Sequence, residues 1–373
     1  MSGIYIHVPF CRRKCIYCAF YSIALVSRKQ DYLDALNCEI EQTLNYLPSR
    51  AIDTVYFGGG TPTLLSISEI ENIITKIRRH YTLNPEGEFT IEANPEQLSK
   101  SYLQDLLSLG INRISIGIQS FSDKNLRFLG RRHNADEARE AVSYALAAGF
   151  DNISIDLIYG IAQRQAGEWE KDVRTAMELP ITHLSCYALT KEENTLLWRK
   201  IHRHELPDMD EDLANREFHQ LLQICRENGF LQYEISNFAR NGMVSQHNSA
   251  YWERKPYLGL GPSAHSYDGH SRRWNVCDLQ QYIDDIASGT FSGDSEILSI
   301  DDQYNEYVML GLRTNHGIKL AQITELFGEK YRQLAEAQLL QVNPDHYHRN
   351  GDRIVLTDEG KFFADGIAGQ LFN

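Results

Sequence analysis

From residue 3 to about residue 190, short β-branched and aromatic runs alternate with longer stretches of helical periodicity. Such alternation builds βα units around a parallel sheet. Strands are predicted at 3–7, 52–57, 88–93, 113–118, 152–158 and 183–188. Between the first two, 31–47 carries Leu33, Leu36, Ile40, Leu44 and Leu47 at helical spacing, with Pro48 closing it. Further helices are predicted at 68–80 with Ser68 as N-cap, at 98–109 and 135–148, stopped by Gly110 and Gly149, and at 168–179. Six strands in six βα steps predict an α/β fold, a partial (β/α)6 TIM-type barrel open on one side. Such barrels place their chemistry at the C-terminal ends of the strands. The unusual residues gather there: three cysteines after the first strand, Gly58-Gly59-Gly60 after the second, Glu92 on the third, Gln119 after the fourth, Asp156 on the fifth and Ala188 on the sixth. A doubly wound sheet is the alternative, but no G-x-G-x-x-G turn follows the first strand.

Over 190–295 the pattern loosens into helices and less regular segments. Helical spacing returns at 301–312, 320–327 and 330–340. Asn350-Gly351 then marks a hairpin, and Thr357 caps a last helix. Two domains are expected: 1–295, the barrel core and the helical region after it, and 296–373, a small C-terminal α+β winged-helix-like domain. A winged helix invites a nucleic-acid reading, which the charge excludes. Residues 298–373 hold seven Lys and Arg against eleven Asp and Glu, and the whole chain carries −13. That is the wrong sign for phosphate contact. The small domain therefore reads as a lid or docking element. No signal-peptide pattern opens the chain, and no apolar run is long enough to span a membrane. A cytoplasmic protein without a membrane anchor is expected.

The chemistry is concentrated in Cys11-Arg12-Arg13-Lys14-Cys15-Ile16-Tyr17-Cys18, a C-x3-C-x2-C run. In a reducing compartment, cysteines this close bind metal rather than form disulfides. Zinc takes a closed set of four ligands, and no fourth cysteine or histidine follows nearby. Three thiolates suit an iron–sulfur cluster with one iron open to a small molecule. Arg12, Arg13 and Lys14 are expected to favour the thiolates. The plain alternative is three unrelated buried thiols on a loop. Cys38, Cys186, Cys225 and Cys277 lie far apart and read as structural. Gly58-Gly59-Gly60-Thr61 lets the backbone approach a ligand. Glu92 and Asp156 are carboxylates on strands built for burial, and a buried charge needs a partner. That partner is either a ligand group or a salt bridge inside the barrel. Arg131 is either a ligand contact or an ordinary exposed arginine.

The cysteine run resembles the signature of the radical S-adenosylmethionine (radical SAM) enzymes. The resemblance implies a [4Fe–4S] cluster on Cys11, Cys15 and Cys18, with SAM chelated at the open iron. It also implies an electron donor such as flavodoxin or ferredoxin, whose electron leads to a 5′-deoxyadenosyl radical. Tyr17 matches the aromatic that packs near adenine in such enzymes. Gly59, Gly60 and Thr61 match the motif that binds the ammonium of the methionine part. Segments 5–11, 58–63, 117–121 and 154–160 further resemble the oxygen-independent coproporphyrinogen III oxidase family, and this resemblance covers nearly the whole chain. Oxidases of that family carry a second SAM site. By motif match, Tyr5, Glu92 and Gly59 go with the first site, and Tyr17, Gly60, Thr61, Gln119, Arg131, Asp156 and Ala188 with the second. Two departures argue against an oxidase: Phe20 stands where oxidases have a fourth cysteine, and the first strand starts at Gly3 where they carry a longer extension. Both match the family's heme chaperone branch. So does His247-Asn248-Ser249-Ala250-Tyr251-Trp252, which resembles that branch's heme-associated motif. A neutral imidazole flanked by aromatics suits a heme iron. His265, in 259–266, is a second ligand candidate. The alternative for His247 is a structural histidine hydrogen-bonded in a loop. The resemblance implies a heme chaperone whose partners are heme and an apo-haemoprotein acceptor. The other reading is oxidative decarboxylation of coproporphyrinogen III in porphyrin biosynthesis.

Overall fold

In the computed structural model, which describes residues 2–373, the alternation is realised as β1 (Gly3–Val8), α1 (Lys29–Gln42), β2 (Ala51–Gly59), α2 (Ile67–His80), β3 (Thr82–Ala93), α3 (Lys100–Ser108), β4 (Arg113–Gln119), α4 (Asp123–Leu129), α5 (Ala135–Ala148), β5 (Asn152–Tyr159), α6 (Glu168–Glu178) and β6 (His183–Ala188). The six strands pair in parallel and in chain order. Period-2 alternation gives each strand two different faces. Ile4, Ile6 and Val8 of β1 join the apolar core with Tyr32, Leu36 and Ile40 of α1. Tyr5 and His7 turn the other way, into the barrel, where Tyr5 meets Tyr56 of β2 at 6.0 Å between ring centroids. The helices follow from local chemistry. α2 opens with a capping box between Ser66 and Glu69 and buries Ile70, Ile73, Ile74 and Ile77, one stripe at helical spacing. Ser66, not Ser68, is therefore its N-cap. α5 is bounded by the Asn134–Glu137 capping box and by Gly149 at φ 113°.

Several boundaries differ from expectation. α1 stops at Gln42 because the Thr43 hydroxyl donates to the Glu39 carbonyl (2.8 Å) and closes the last turn. Leu44 and Leu47 then pack from turns. β3 starts at Thr82, six residues early, because Ala51 and Ile52 already pair with Thr82 and Leu83. The short α4 was not anticipated.

The largest difference lies between 190 and 297. Besides α7 (Leu196–His202) and α8 (Glu211–Glu227), this region supplies β7 (Leu231–Gln232), β8 (Asn237–Ala239), α9 (Gln246–Trp252), β9 (Tyr257–Leu260), β10 (His265–Tyr267), β11 (Ser271–Asn275), α10 (Leu279–Ala287) and β12 (Gly293–Ile297). All six strands join the barrel sheet, giving twelve in the order β12-β11-β10-β9-β1-β2-β3-β4-β5-β6-β8-β7. Strands of two to five residues hold too few alternations to stand out in a sequence. β9 pairs in parallel with β1, so the β9–β12 wall extends the barrel beside the strand that leads to the cysteines.

A second apolar core, with Tyr304, Val308, Ile323, Ile354 and Ile367, lies in the last segment. It is built from α11 (Ile300–Leu312), β13 (Ile318–Lys319), α12 (Leu320–Phe327), α13 (Glu329–Leu339), β14 (Tyr347–Asn350), β15 (Arg353–Leu356), α14 (Asp358–Phe362) and α15 (Ala364–Gln370). Helices followed by the β14–β15 hairpin form the winged-helix-like pattern, with β13 adding a third strand. Thr357 caps α14 as expected, but the last helix breaks at Phe363. The segment docks through Arg272–Glu306 (2.7 Å) and Ile235 N–H to the Arg313 carbonyl (2.9 Å).

Candidate cofactor-binding site

The cysteine loop, 9–28, leaves the C-terminal end of β1. Cys11 N–H donates to the Ile23 carbonyl (3.0 Å) and Ile23 N–H to the Pro9 carbonyl (2.7 Å), which ties the ends of the loop together. Its middle is clamped at Ile16, whose N–H donates to the carbonyl of Leu129, the last residue of α4 (3.2 Å), and whose carbonyl accepts from Leu197 of α7 (2.8 Å). Cys11, Cys15 and Cys18 are each half-buried, and none forms a disulfide. Arg12 and Arg13 point to solvent, and the Lys14 ammonium donates to the Phe20 carbonyl (3.2 Å). Burial pushes the Cys18 thiol up to about 11, and Lys14 is only a minor opposing influence. The expected control of that thiol by the basic triplet is thus outweighed by desolvation.

Two of the sulfurs are joined by one polar chain. Cys11 Sγ lies 3.4 Å from Thr61 Oγ1, which accepts from Asn94 Nδ2 (3.1 Å). Asn94 Oδ1 accepts from Arg131 Nη2 (2.5 Å), and Arg131 Nη1 lies 3.6 Å from Cys15 Sγ. Arg131 also donates to the Gly117 carbonyl (2.6 Å), so it is a half-buried support rather than an exposed arginine. Tyr17 sits beside it, its phenol pushed up by burial and drawn back by the guanidinium.

The glycine turn forms the next wall. A Cβ on Gly58 would lie 2.8 Å from the Tyr5 ring and 3.1 Å from Glu92 Oε1. One on Gly60 would lie 2.7 Å from the Phe10 carbonyl oxygen, and Gly59 holds φ 109°. Side chains are excluded there, and the backbone stays open to a ligand. Glu92 accepts from the Tyr56 hydroxyl (2.8 Å) and from Gly59 N–H (3.1 Å). It makes no ion pair among the described residues. Burial therefore lifts its carboxyl to about 7, with the Tyr56 hydrogen bond opposing. Asp156 accepts from Ser115 Oγ (3.1 Å) and is likewise raised by burial. Gln119 ends β4 at φ 71°, a left-handed conformation that costs a non-glycine residue roughly 1–3 kcal/mol. Ala188 ends β6 in register with Tyr159. The Tyr5 hydroxyl lies 3.2 Å from His7 Nδ1.

These residues fit the implied cofactors. The lumen is lined by hydroxyls and carboxylates, and Thr90 Oγ1 and Arg131 Nε are buried there without a partner among the described residues. Each such orphan costs about 1–3 kcal/mol unless a ligand satisfies it. Among the described residues no three His, Cys, Asp or Glu side chains converge on a single metal ion. Three half-buried thiols on one loop are the donor set that would hold a multi-iron cluster.

His247 lies elsewhere. It is 2% exposed, at the opposite end of the strands, with Nδ1 2.7 Å from Thr54 Oγ1 and Nε2 2.8 Å from the Tyr251 hydroxyl. Its ring stacks on Tyr56 at 5.0 Å, and burial pushes the imidazole down to about 3. Both ring nitrogens are engaged in hydrogen bonds in this structure. Sequence reading missed Asn94, Tyr56 and His7. Asn94 was visible as the end of the third strand, and Tyr56 and His7 as inward positions of an alternating strand.

The family model for the radical SAM superfamily matches residues 5–176, and that for the HemN C-terminal domain matches 298–363. The heme chaperone HemW of Mycobacterium tuberculosis (strain ATCC 25618 / H37Rv) is 35% identical over 99% of this chain and 94% of its own length. HemW of Bacillus subtilis (strain 168) is 34% identical over 99% and 98%. Radical S-adenosyl methionine domain-containing protein 1, mitochondrial, of Bos taurus is 33% identical over 85% and 74%. Coproporphyrinogen III oxidase (HemN) from Escherichia coli, described as a radical SAM enzyme, has the same fold: TM-score 0.87 at 23% identity, over 100% of this chain and 90% of that one. The chain therefore belongs to the radical SAM superfamily and, within it, to the family of the heme chaperone HemW.

Proposed function

We propose that this protein is a heme chaperone that binds heme, holds a [4Fe–4S] cluster with SAM, and passes heme to apo-haemoproteins. One observation carries the reading: identity of 32–35% to proteins named heme chaperone HemW, across 86% or more of the chain. Phe20, 69% exposed where the oxidase pattern has its fourth cysteine, supports it. Cys11, Cys15 and Cys18 would hold the cluster, which together with SAM supplies one-electron chemistry when bound. The chain's own residues orient and exclude water. The backbone at Gly59, Gly60 and Thr61 receives the methionine ammonium. Glu92 and Asp156 accept from ribose hydroxyls or the amine. Arg131 and Asn94 fix two cysteines relative to the glycine turn. Tyr5, Glu92 and Gly59 serve a first SAM site, and Tyr17, Gly60, Thr61, Gln119, Arg131, Asp156 and Ala188 a second.

An electron donor such as flavodoxin or ferredoxin belongs to the same reading, as does a reducing, cytoplasmic setting for seven unpaired cysteines. No helix among the described residues is long and apolar enough to cross a membrane. The division into 1–295 and 296–373 is supported by the separate apolar core of the last segment. Anaerobic reconstitution tests the function. Wild type should take up iron and sulfide, the triple Cys11/Cys15/Cys18→Ala variant should not, and hemin should bind with a shifted Soret band. Conversion of coproporphyrinogen III without hemin binding would overturn the chaperone reading in favour of the oxidase.

A further inference from the structure

β4 leaves its regular pairing with β5 just before Gln119. Gly117 pairs with Asp156, but Gln119 pairs with Leu157, so two residues of β4 face one of β5. A bulge of this kind re-aims the side chains at a strand end, and Gln119 itself holds φ 71°. Behind the bulge lies a buried guanidinium. Arg164, in the loop after β5, has a side chain only 1% exposed and stands between Asp172 of α6 (3.4 Å) and Glu217 of α8 (3.3 Å). We propose that Arg164, bridging Asp172 and Glu217, is a positioning residue that fixes the ends of β4 and β5 and thereby sets Gln119 and Asp156 for SAM. This rests on the SAM-binding reading above and adds to it residues outside those that would touch the cofactor.

Three observations carry the assignment. First, each member of the triad holds a strand end. Asp172 accepts from Ser120 Oγ (2.6 Å) and Phe121 N–H (2.8 Å), the two residues directly after Gln119. Glu217 accepts from Gly160 N–H (2.6 Å), just past β5, where the chain turns at φ 74°. Arg164 donates to the Ile158 carbonyl (2.9 Å), two residues on from Asp156. Second, the two carboxylates come from different helices, and the guanidinium joins them charge to charge. It lies over the Trp169 ring at 5.0 Å, and the Trp169 indole N–H donates to the Glu217 carbonyl (2.8 Å). The planar fork is thus held on its face as well as at both sides. Third, the triad is a costly way to gain stability alone. Burial pushes both carboxyls up, with the guanidinium opposing in each case. Well-packed apolar side chains of similar volume fill such a space as favourably. What they cannot supply is acceptors for Ser120, Phe121 and Gly160, and a donor for Ile158, at fixed points.

SAM binding to the anaerobically reconstituted full chain, measured by equilibrium dialysis, tests the role. Arg164→Lys keeps the charge but loses the fork. It should weaken SAM binding about tenfold or more, with iron and sulfide content unchanged. At saturating SAM its reduced cluster should give the wild-type electron paramagnetic resonance signal, because the cysteines are untouched. The triple variant Arg164→Met/Asp172→Asn/Glu217→Gln removes every charge of the triad. It should melt close to wild type and still bind SAM more weakly by a similar factor, a split that a purely structural role does not produce. Leu339→Ala, which opens a cavity in the second apolar core, should melt lower and bind SAM as wild type does. Wild-type SAM affinity in either folded Arg164 variant would overturn the positioning role alone. So would failure of both to fold, or a loss of SAM binding that merely follows melting temperature across the three variants. A wild type that takes up iron and sulfide but binds no SAM would overturn the proposed function and the role together.

Discussion

Glu92 and His247 show how the same burial has different consequences for an acid and a base. Glu92 is held near 7 against an ordinary 4.5, so the folded chain binds this proton more readily than the unfolded one. Its contribution to stability is full below 4.5 and is lost as pH rises through 7. In the ligand-free protein, Glu92→Gln should flatten that decline, by up to about 3 kcal/mol. Urea midpoints taken across the window would reveal it, and an unchanged slope would refute it. His247 is instead neutral throughout the physiological range. His247→Ala leaves the Thr54 and Tyr251 hydroxyls buried and unpaired and opens a cavity, a loss of about 2–4 kcal/mol. A clearly lower melting temperature is expected, read by thermal denaturation followed by circular dichroism. The motif pattern made His247 visible in the sequence. Its role was not visible, because hydrogen-bond saturation by Thr54, 193 positions away, has no local signature.

Two elements are held by contacts whose loss can be measured. The N-terminus of α9 is pinned by Glu88 on β3, which accepts from Ser245 Oγ (3.2 Å), Gln246 N–H (2.9 Å) and His247 N–H (3.0 Å). Glu88→Ala strands these donors and leaves Arg113 buried without its counter-charge, costing about 3 kcal/mol or more. Amide exchange at Gln246 and His247 should speed up well beyond that of β4. The cysteine loop depends on Gly60, where a Cβ would meet backbone oxygens of Phe10 (2.7 Å) and Val8 (2.9 Å). Backbone on both sides cannot step aside, so Gly60→Ala should cost about 1–3 kcal/mol. It should also lower iron and sulfide uptake while the far-ultraviolet dichroism stays native. The element order β1 to β6 was legible because long, half-buried strands alternate strongly. The β9–β12 wall was not, since β11 reads Ser-Arg-Arg-Trp-Asn and gains its strand character only from neighbours.

At the scale of the whole molecule, two apolar cores meet across a mixed seam. Phe218 of α8 contacts Phe362 of α14 at 6.0 Å, and Arg226 bonds Asp358 at 2.5 Å. The ion pair is largely exposed, so Arg226→Ala should change stability by less than about 1 kcal/mol. Removing 298–373 is a different matter. It uncovers Ile235 and frees Arg272 from Glu306 on the face that carries His265. The truncated chain should self-associate in sedimentation, and a monodisperse product would contradict this packing.

The sequence by itself determined the parallel barrel order, the cysteine loop at the first strand end, the glycine turn, and the helical stripes that cover the sheet. All of these follow from periodicity and from residues a few positions apart. Tertiary structure alone decided which polar residues became partners: Asn94 joining Thr61 to Arg131, Tyr56 meeting Glu92, and Thr54 saturating His247. The physical reason is that a hydrogen bond is satisfied by whatever the fold brings within about 3 Å, and no local pattern encodes that distance.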